Sequence, residues 1–240
     1  MLHRNRIETT TSKPDIQVNP LQWIVTNATH RGIGRTLTVG LSYAEDYLFD
    51  WRNGTDTVRR VEVGTLDFSS NNKAQAKTYG ATKARPFLKL LQILDLPRDA
   101  TFVDIGSGKG RVLMLAAQAG FQRVVGIDFS PQLCEIATQN IAAFRKHTGV
   151  QAQIDILQAD ATAYEFTPDQ QVFFMFDPFL PAVVKQVISN LGRSIEDSPR
   201  KCWLIYLAPK YHSAIAETKV FPEPHDFTLF GADYKVYTTA

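Results

Sequence analysis

Two cysteines in 240 residues are too few for a disulfide framework. Cys134 falls in a helical pattern and Cys202 in an apolar strand, so both read as buried, reduced thiols. The five histidines (His3, His30, His147, His212 and His225) show no metal-ligand spacing with one another or with the cysteines, and no metal is expected. No apolar run approaches the roughly 20 residues that a membrane span requires. The polar start, MLHRNRIETTTSKPD, has no apolar h-region of a secretory signal, and residues 1–20 are expected to be a mobile tail. A cytoplasmic protein is expected. Charge of one sign is also scarce: the net is +2, and no basic, aromatic-interleaved surface stands out, so nucleic acid is not an expected partner. The basic run Lys73, Lys77, Lys83, Arg85 and Lys89 reads as the solvated face of a helix.

Apolar residues make up 44% of the chain, enough for the core of one α/β domain with a small appendage. Between Thr36 and Phe68 the pieces TLTVGL, YLFD and VRRVEVGTLDF are short, and RNGTD is a turn signal between the last two. Residues 21–78 are therefore expected to form a small β-rich lid or substrate region, followed by the main domain at 79–240. A helix is expected over Ala81–Leu94. After DLPRDA, apolar strands alternate with helical patterns: strands at Thr101–Ile105, Arg123–Ile127, Gln153–Gln158, Val172–Phe176 and Cys202–Leu207, helices at Gly110–Ala119, Pro131–Lys146 and Pro181–Leu191. This alternation implies a mostly parallel sheet covered on both faces. FTLFGADYKVYTT closes the chain as a β-hairpin turning at Gly231-Ala232-Asp233.

Two glycine-rich stretches compete for a cofactor. VTNATHRGIGRT (Val25–Thr36), with Tyr79 and Lys83 of YGATK, resembles the nucleotide loop and Tyr-x-x-x-Lys pair of short-chain dehydrogenases. Tyr79 follows Gly34 by only 45 residues, too few for the several βαβ units, each about 30 residues, that must intervene. A dinucleotide loop must also open a helix whose N-terminus holds the pyrophosphate. RTLTVGLSY is β-branched and alternating, so a turn into a strand is expected, leaving the NAD(P)-dependent oxidoreductase a remote alternative.

FVDIGSGKGRVLMLAA passes the same test: an apolar strand, glycines at 106, 108 and 110, then an apolar helix. Asp104 before the glycines would repel a pyrophosphate but suits a cationic ligand. Asp128 ends the next strand 18 residues after Gly110, where an acid takes ribose hydroxyls, and Asp160 ends the third strand. On these motifs the chain from Tyr79 onward resembles the class I (seven-β-strand) S-adenosylmethionine (SAM) methyltransferases. The resemblance implies a Rossmann-like α/β fold with a seven-stranded sheet. It places Asp104 and Gly106 under the methionine part of SAM. Gly108 and Gly110 shape the loop, Asp128 binds the ribose, and Asp160 with the Ala161 main chain faces the adenine. The alternative for each acid is a strand-end carboxylate capping the next helix.

VFFMFDPFL supplies the remaining part. Its strand should lie beside FVDI at the topological switch point, so that Asp177 emerges next to the transferred methyl. Asp177-Pro178-Phe179 resembles the Asn/Asp-Pro-Pro-aromatic loop of amino-group methyltransferases, with Phe179 in place of the second proline. Asp177 and Phe179 are the candidate catalytic residues, Asp177 orienting a nucleophile and Phe179 flanking the methyl. The block FDWRNGTDT (Phe49–Thr57) followed by YGAT is similar to a bacterial group of class I methyltransferase-like proteins with a Phe-Asp…Gly-x-Asp-Thr block. By analogy with related lysine methyltransferases, Tyr79 and Thr82 line the pocket; alternatively Thr82 caps a helix. The function implied is methyl transfer from SAM, leaving S-adenosylhomocysteine, to an acceptor nitrogen on a protein side chain or a small molecule. A small-molecule O-methyltransferase and a non-catalytic SAM-binding module remain alternatives.

Overall fold

A computed structural model describes residues 44–59, 80–177 and 179–239. The apolar runs become strands: β1 (Thr101–Ile105), β2 (Arg123–Asp128), β3 (Gln153–Gln158), β4 (Gln170–Phe176), β5 (Trp203–Leu207), β6 (His225–Leu229) and β7 (Ala232–Thr238). The helices are α1 (44–53), α2 (Ala84–Ile93), α3 (Arg111–Gln118), α4 (Pro131–Thr148), α5 (Pro181–Asp197) and the short α6 (His212–Ala216). One sheet runs in the order β3–β2–β1–β4–β5–β7–β6. All neighbours are parallel except β7, which runs antiparallel to both β5 and β6. The expected seven-stranded Rossmann-like fold is therefore present, hairpin included.

Each face of the sheet has its own core. Phe102, Val124, Val172 and Phe174 pack with Phe87 and Leu90 of α2, Leu113 and Met114 of α3, and Phe144 of α4. Val103, Ile127, Phe173 and Met175 pack with Val184, Val187 and Leu191 of α5 and Ile215 of α6. Alternate residues of β1 and β4 thus serve opposite cores, which is why these strands read as unbroken apolar runs. Each buried phenylalanine contributes about 1.5–3 kcal/mol. Phe87 further meets Phe174 edge-on at 5.1 Å between ring centroids.

Local signals set the helix ends. Ser130 caps α4 by accepting from Leu133 N–H at 3.3 Å, Pro131 follows, and Gly149 ends the helix with φ +70°. α3 begins at Gly110, whose φ of +80° suits glycine. Gly126 of β2 has a different necessity: a Cβ there would lie 2.6 Å from Leu113 Cδ1 and 2.8 Å from Ser107 Oγ. The bare strand lets α3 and the loop before it lie close against the sheet.

The expectation of strands in the N-terminal region is corrected where that region is described. Tyr47–Asp50 lies within helix α1, and RNGTD ends that helix instead of turning a hairpin. Gly54 adopts φ +65°, and Thr55 N–H donates to the Asp50 carbonyl at 3.0 Å, the closure of a glycine-terminated helix. Residues 1–43 and 60–79, with the GIG stretch and Tyr79, lie outside the described residues. α6 was not expected, and β3 ends at Gln158, so Asp160 stands in the loop beyond the strand. Among the described residues no helix is long and apolar enough to cross a membrane, and no His/Cys/Asp/Glu group could hold a metal.

Candidate active site

The chain reverses its direction of progression across the sheet between β1 and β4, leaving a crevice at their C-terminal ends. Asp104 and Gly106 to Gly110 lead out of β1, Asp128 ends β2, and Asp177 follows β4. The sequence separated these groups by up to about 70 residues; the parallel register brings them to one edge.

The glycine loop is fastened to β2. Gly106 and Ser107 N–H donate to the Ile127 carbonyl at 2.9 and 3.0 Å. Gly108 N–H donates to Asp128 Oδ2 at 2.8 Å, and Ser130 N–H donates to Asp128 Oδ1 at 2.9 Å. Gly106, Gly108 and Gly110 all adopt positive φ (84°, 53° and 80°), so the loop's path depends on their lacking a Cβ. Asp128 therefore shapes the loop, and each oxygen retains accepting capacity for a further donor.

Asp104 is buried in β1, in register with Gly126 and Phe174. Burial, with the neighbouring Asp128 charge, raises its pKa well above the usual carboxylate range. Burial also raises Asp128, offset in part by the amides of Ser130, Gly108 and Phe129. Two buried acids side by side, with no ion pair to either among the described residues, form a site that a cationic group would relieve. That donor set suits the ammonium and sulfonium of SAM and is hostile to a pyrophosphate.

The loop after β3 closes the other side. Ala159 N–H donates to the Asp128 carbonyl at 2.9 Å, which ties this loop to the end of β2. Asp160 Oδ1 accepts from Thr162 N–H at 2.9 Å and Thr162 Oγ1 at 2.7 Å, a local turn that fixes the carboxylate. Ala161 is buried beside Ile127 and Phe179 in the core under α5. Thr82 is buried, but Lys83, not Thr82, is the N-cap of α2, with no side-chain cap bond.

Asp177 has φ +36°, a region that costs a non-glycine residue energy and recurs at functional sites. Tyr206 of β5 donates its hydroxyl to Asp177 Oδ1 at 3.1 Å. Ala208, just beyond β5, has φ +50°, so both neighbouring strand ends leave the sheet in strained turns. Phe179 is buried in the same core cluster as Phe173, Met175 and Val183. Tyr206 was invisible in the sequence because its partner lies 29 residues away. Lys109 and Arg111, interleaved with the glycines, were also passed over; both are buried and ion-paired to acids of 44–59.

Residues 102–196 match the family model of a methyltransferase domain. Human EEF1A lysine methyltransferase 2 is 32% identical over 59 residues, covering 25% of this chain and 25% of that protein. An arginine N(omega)-methyltransferase of Streptomyces achromogenes is 39% identical over 70 residues, 29% of this chain and 18% of its own. The chain thus spans a quarter or less of the length of these two curated relatives. The crystal structure of magnesium protoporphyrin IX methyltransferase from Synechocystis, with bound SAM, superposes with a TM-score of 0.50 at 19% identity, over 65% of this chain and 78% of that one. The fold is the one seen in that SAM-bound methyltransferase, and residues 102–196 carry the match to a methyltransferase domain.

Proposed function

We propose that the protein transfers a methyl group from SAM to an acceptor nitrogen, on a protein side chain or a small molecule. The observation that carries this reading is the convergence of the buried Asp104–Asp128 pair and the glycine loop with the strained, tyrosine-held Asp177 at one sheet edge. The lysine- and arginine-methylating relatives support nitrogen as the acceptor atom.

Asp104 and Gly106 would hold the methionine part, Asp128 the ribose, and Asp160 with Ala161 the adenine; Tyr79 and Thr82 would line the remaining wall. Bound there, SAM supplies a methyl on a sulfonium, activated for in-line displacement. The protein's task is then alignment at near-attack distance and exclusion of water. Asp177 accepts an N–H of the acceptor, which aims the nitrogen lone pair into the crevice, and its carboxylate takes up the proton released. Phe179, which is buried, would flank the methyl and exclude water.

Calorimetry with SAM, S-adenosylhomocysteine and NADPH tests the cofactor, and a tritiated-methyl screen of cell extract separates macromolecular from small acceptors. Tight NADPH binding without SAM binding would overturn the proposal. With an acceptor in hand, Asp177→Ala should lower turnover and leave SAM binding intact. An unchanged rate would place the active centre elsewhere, and an oxygen-methylated product would move the acceptor class to hydroxyls.

A further inference from the structure

Lys109 and Arg111 flank Gly110 on the loop, and their side chains are 1% and 2% exposed. A cation at the first residue of a helix faces the positive end of the helix dipole, and burial adds a desolvation cost. Such a pair persists only where carboxylates meet it. Here they come from α1 and the turn after it. Arg111 Nη2 lies 2.9 Å from Asp46 Oδ1, Nη1 donates to Thr57 Oγ1 at 2.8 Å, and Asp50 Oδ1 stands 4.0 Å away. The guanidinium also stacks 4.6 Å over the Phe49 ring. Lys109 Nζ pairs with Asp56 Oδ2 at 3.2 Å, and Lys83, at the start of α2, shares Asp46.

The acids are themselves fixed. Asp50 accepts from Thr57 N–H and Val58 N–H (2.7 and 2.8 Å) and from the hydroxyls of Thr55 and Thr57 (2.7 and 2.6 Å). Asn140 of α4 accepts from Asp56 N–H at 2.8 Å and donates to the Lys109 carbonyl at 3.0 Å. One asparagine thus ties the N-terminal segment and the glycine loop together. Asp46, Asp50 and Asp56 face the two cations that flank a single glycine.

We propose that Asp46, Asp50 and Asp56 are a clamp on the glycine loop, with Asp46 and Asp56 acting through Arg111 and Lys109 as positioning residues for the cofactor. The inference rests on the SAM reading of that loop. The loop amides are fixed by Asp128 and Ile127, and the loop's Lys109 and Arg111 side chains by this clamp. Neutralising Asp46 or Asp56 weakens the pairing of a buried cation beside Gly110, which the loop relieves by moving.

The test compares Asp46→Asn and Asp56→Asn with Glu45→Gln, which touches only the exposed pair with Arg85. Both clamp variants should bind S-adenosylhomocysteine about tenfold more weakly and raise KM for SAM by the same factor. Their kcat at saturating SAM should stay within about twofold, and Glu45→Gln should match the parent. Folded clamp variants that bind S-adenosylhomocysteine like the parent would overturn the proposal, as would a loss confined to kcat. Should Asp46→Asn fail to fold, Asp46→Leu/Arg111→Met removes both charges together, a change that buried ion pairs often tolerate. It should fold and still bind weakly; parent-like binding by it also overturns the proposal. A parent protein that binds no S-adenosylhomocysteine sinks the cofactor reading, not the clamp. Amide exchange at residues 106–111 in the ligand-free proteins then decides: faster exchange in Asp56→Asn upholds the clamp, and unchanged exchange overturns it.

Discussion

The Tyr206 hydroxyl lies 3.1 Å from Asp177 Oδ1, joining the ends of two neighbouring parallel strands. The phenol is buried, and its pKa is raised by burial and then by the Asp177 charge, so it remains a donor across the physiological range. A hydrogen bond to a charged group is worth about 1.5–3 kcal/mol. Tyr206→Phe removes one hold on the strained conformer of Asp177, and kcat should fall about tenfold or more. KM for SAM should not move, since the proposed cofactor residues do not include Tyr206. Steady-state kinetics with both substrates varied checks the split, and an unchanged kcat would show that Asp177 is held by other means.

Asp104 carries a prediction of opposite signs. Its folded-state pKa is raised, so the native protein binds this proton more tightly than the unfolded chain does. The stability this gives is fully present below the unfolded carboxylate pKa of about 3.9 and is lost as pH rises through the folded value. Asp104→Asn should therefore raise the ligand-free Tm at neutral pH and flatten its pH dependence, while weakening SAM. Each kcal/mol shifts Tm by about 2–4 °C for a chain of this size. Melts and calorimetry on one sample test both signs; a lower neutral-pH Tm would mean that Asp104 is not a burdened acid.

Gly110 marks where loop becomes helix. A Cβ there would require φ +80° of an ordinary residue and would lie 3.1 Å from Ala137 Cβ. The left-handed conformation alone costs about 1–2 kcal/mol. Gly110→Ala should lower Tm by several degrees and weaken S-adenosylhomocysteine. The control is Gly120→Ala, which shares a positive φ of +101° but has open space around it and stands away from the crevice. Equal losses of affinity in the two would make the effect global.

The thiols should be inert. Burial, first of all, pushes Cys134 up to about 12 and Cys202 up to about 11. A disulfide reagent near neutral pH should label neither in the native protein and both after denaturation. Rapid native labelling of Cys134 would indicate that α4 opens beside Asp128.

The strands and the four helices α2 to α5 were legible in the sequence because apolar runs and 3.6-residue periods map directly onto burial. α1 was not. Its inward positions are Asp46, Phe49 and Asp50, whereas Tyr47, Leu48 and Trp51 face outward, Trp51 with 80% exposure. A helix that buries acids and exposes aromatics inverts the pattern on which periodicity depends, so YLFD read as a strand. Asp104, Asp128 and the glycines were legible because strand ends and sharp turns impose spacing. Tyr206, Lys109 and Arg111 were not, because their roles come from partners 29 to 65 residues distant. α6 is too short, at five residues, to leave a period.

Gly126 contacts no ligand-binding group through a side chain, because it has none, yet it fixes how near α3 stands to the sheet. It acts as a spacer of zero thickness. Any methyl added there must displace Leu113 of α3 and Ser107 of the glycine loop. The path of the glycine loop is therefore adjustable from behind, at a strand position that carries no side chain.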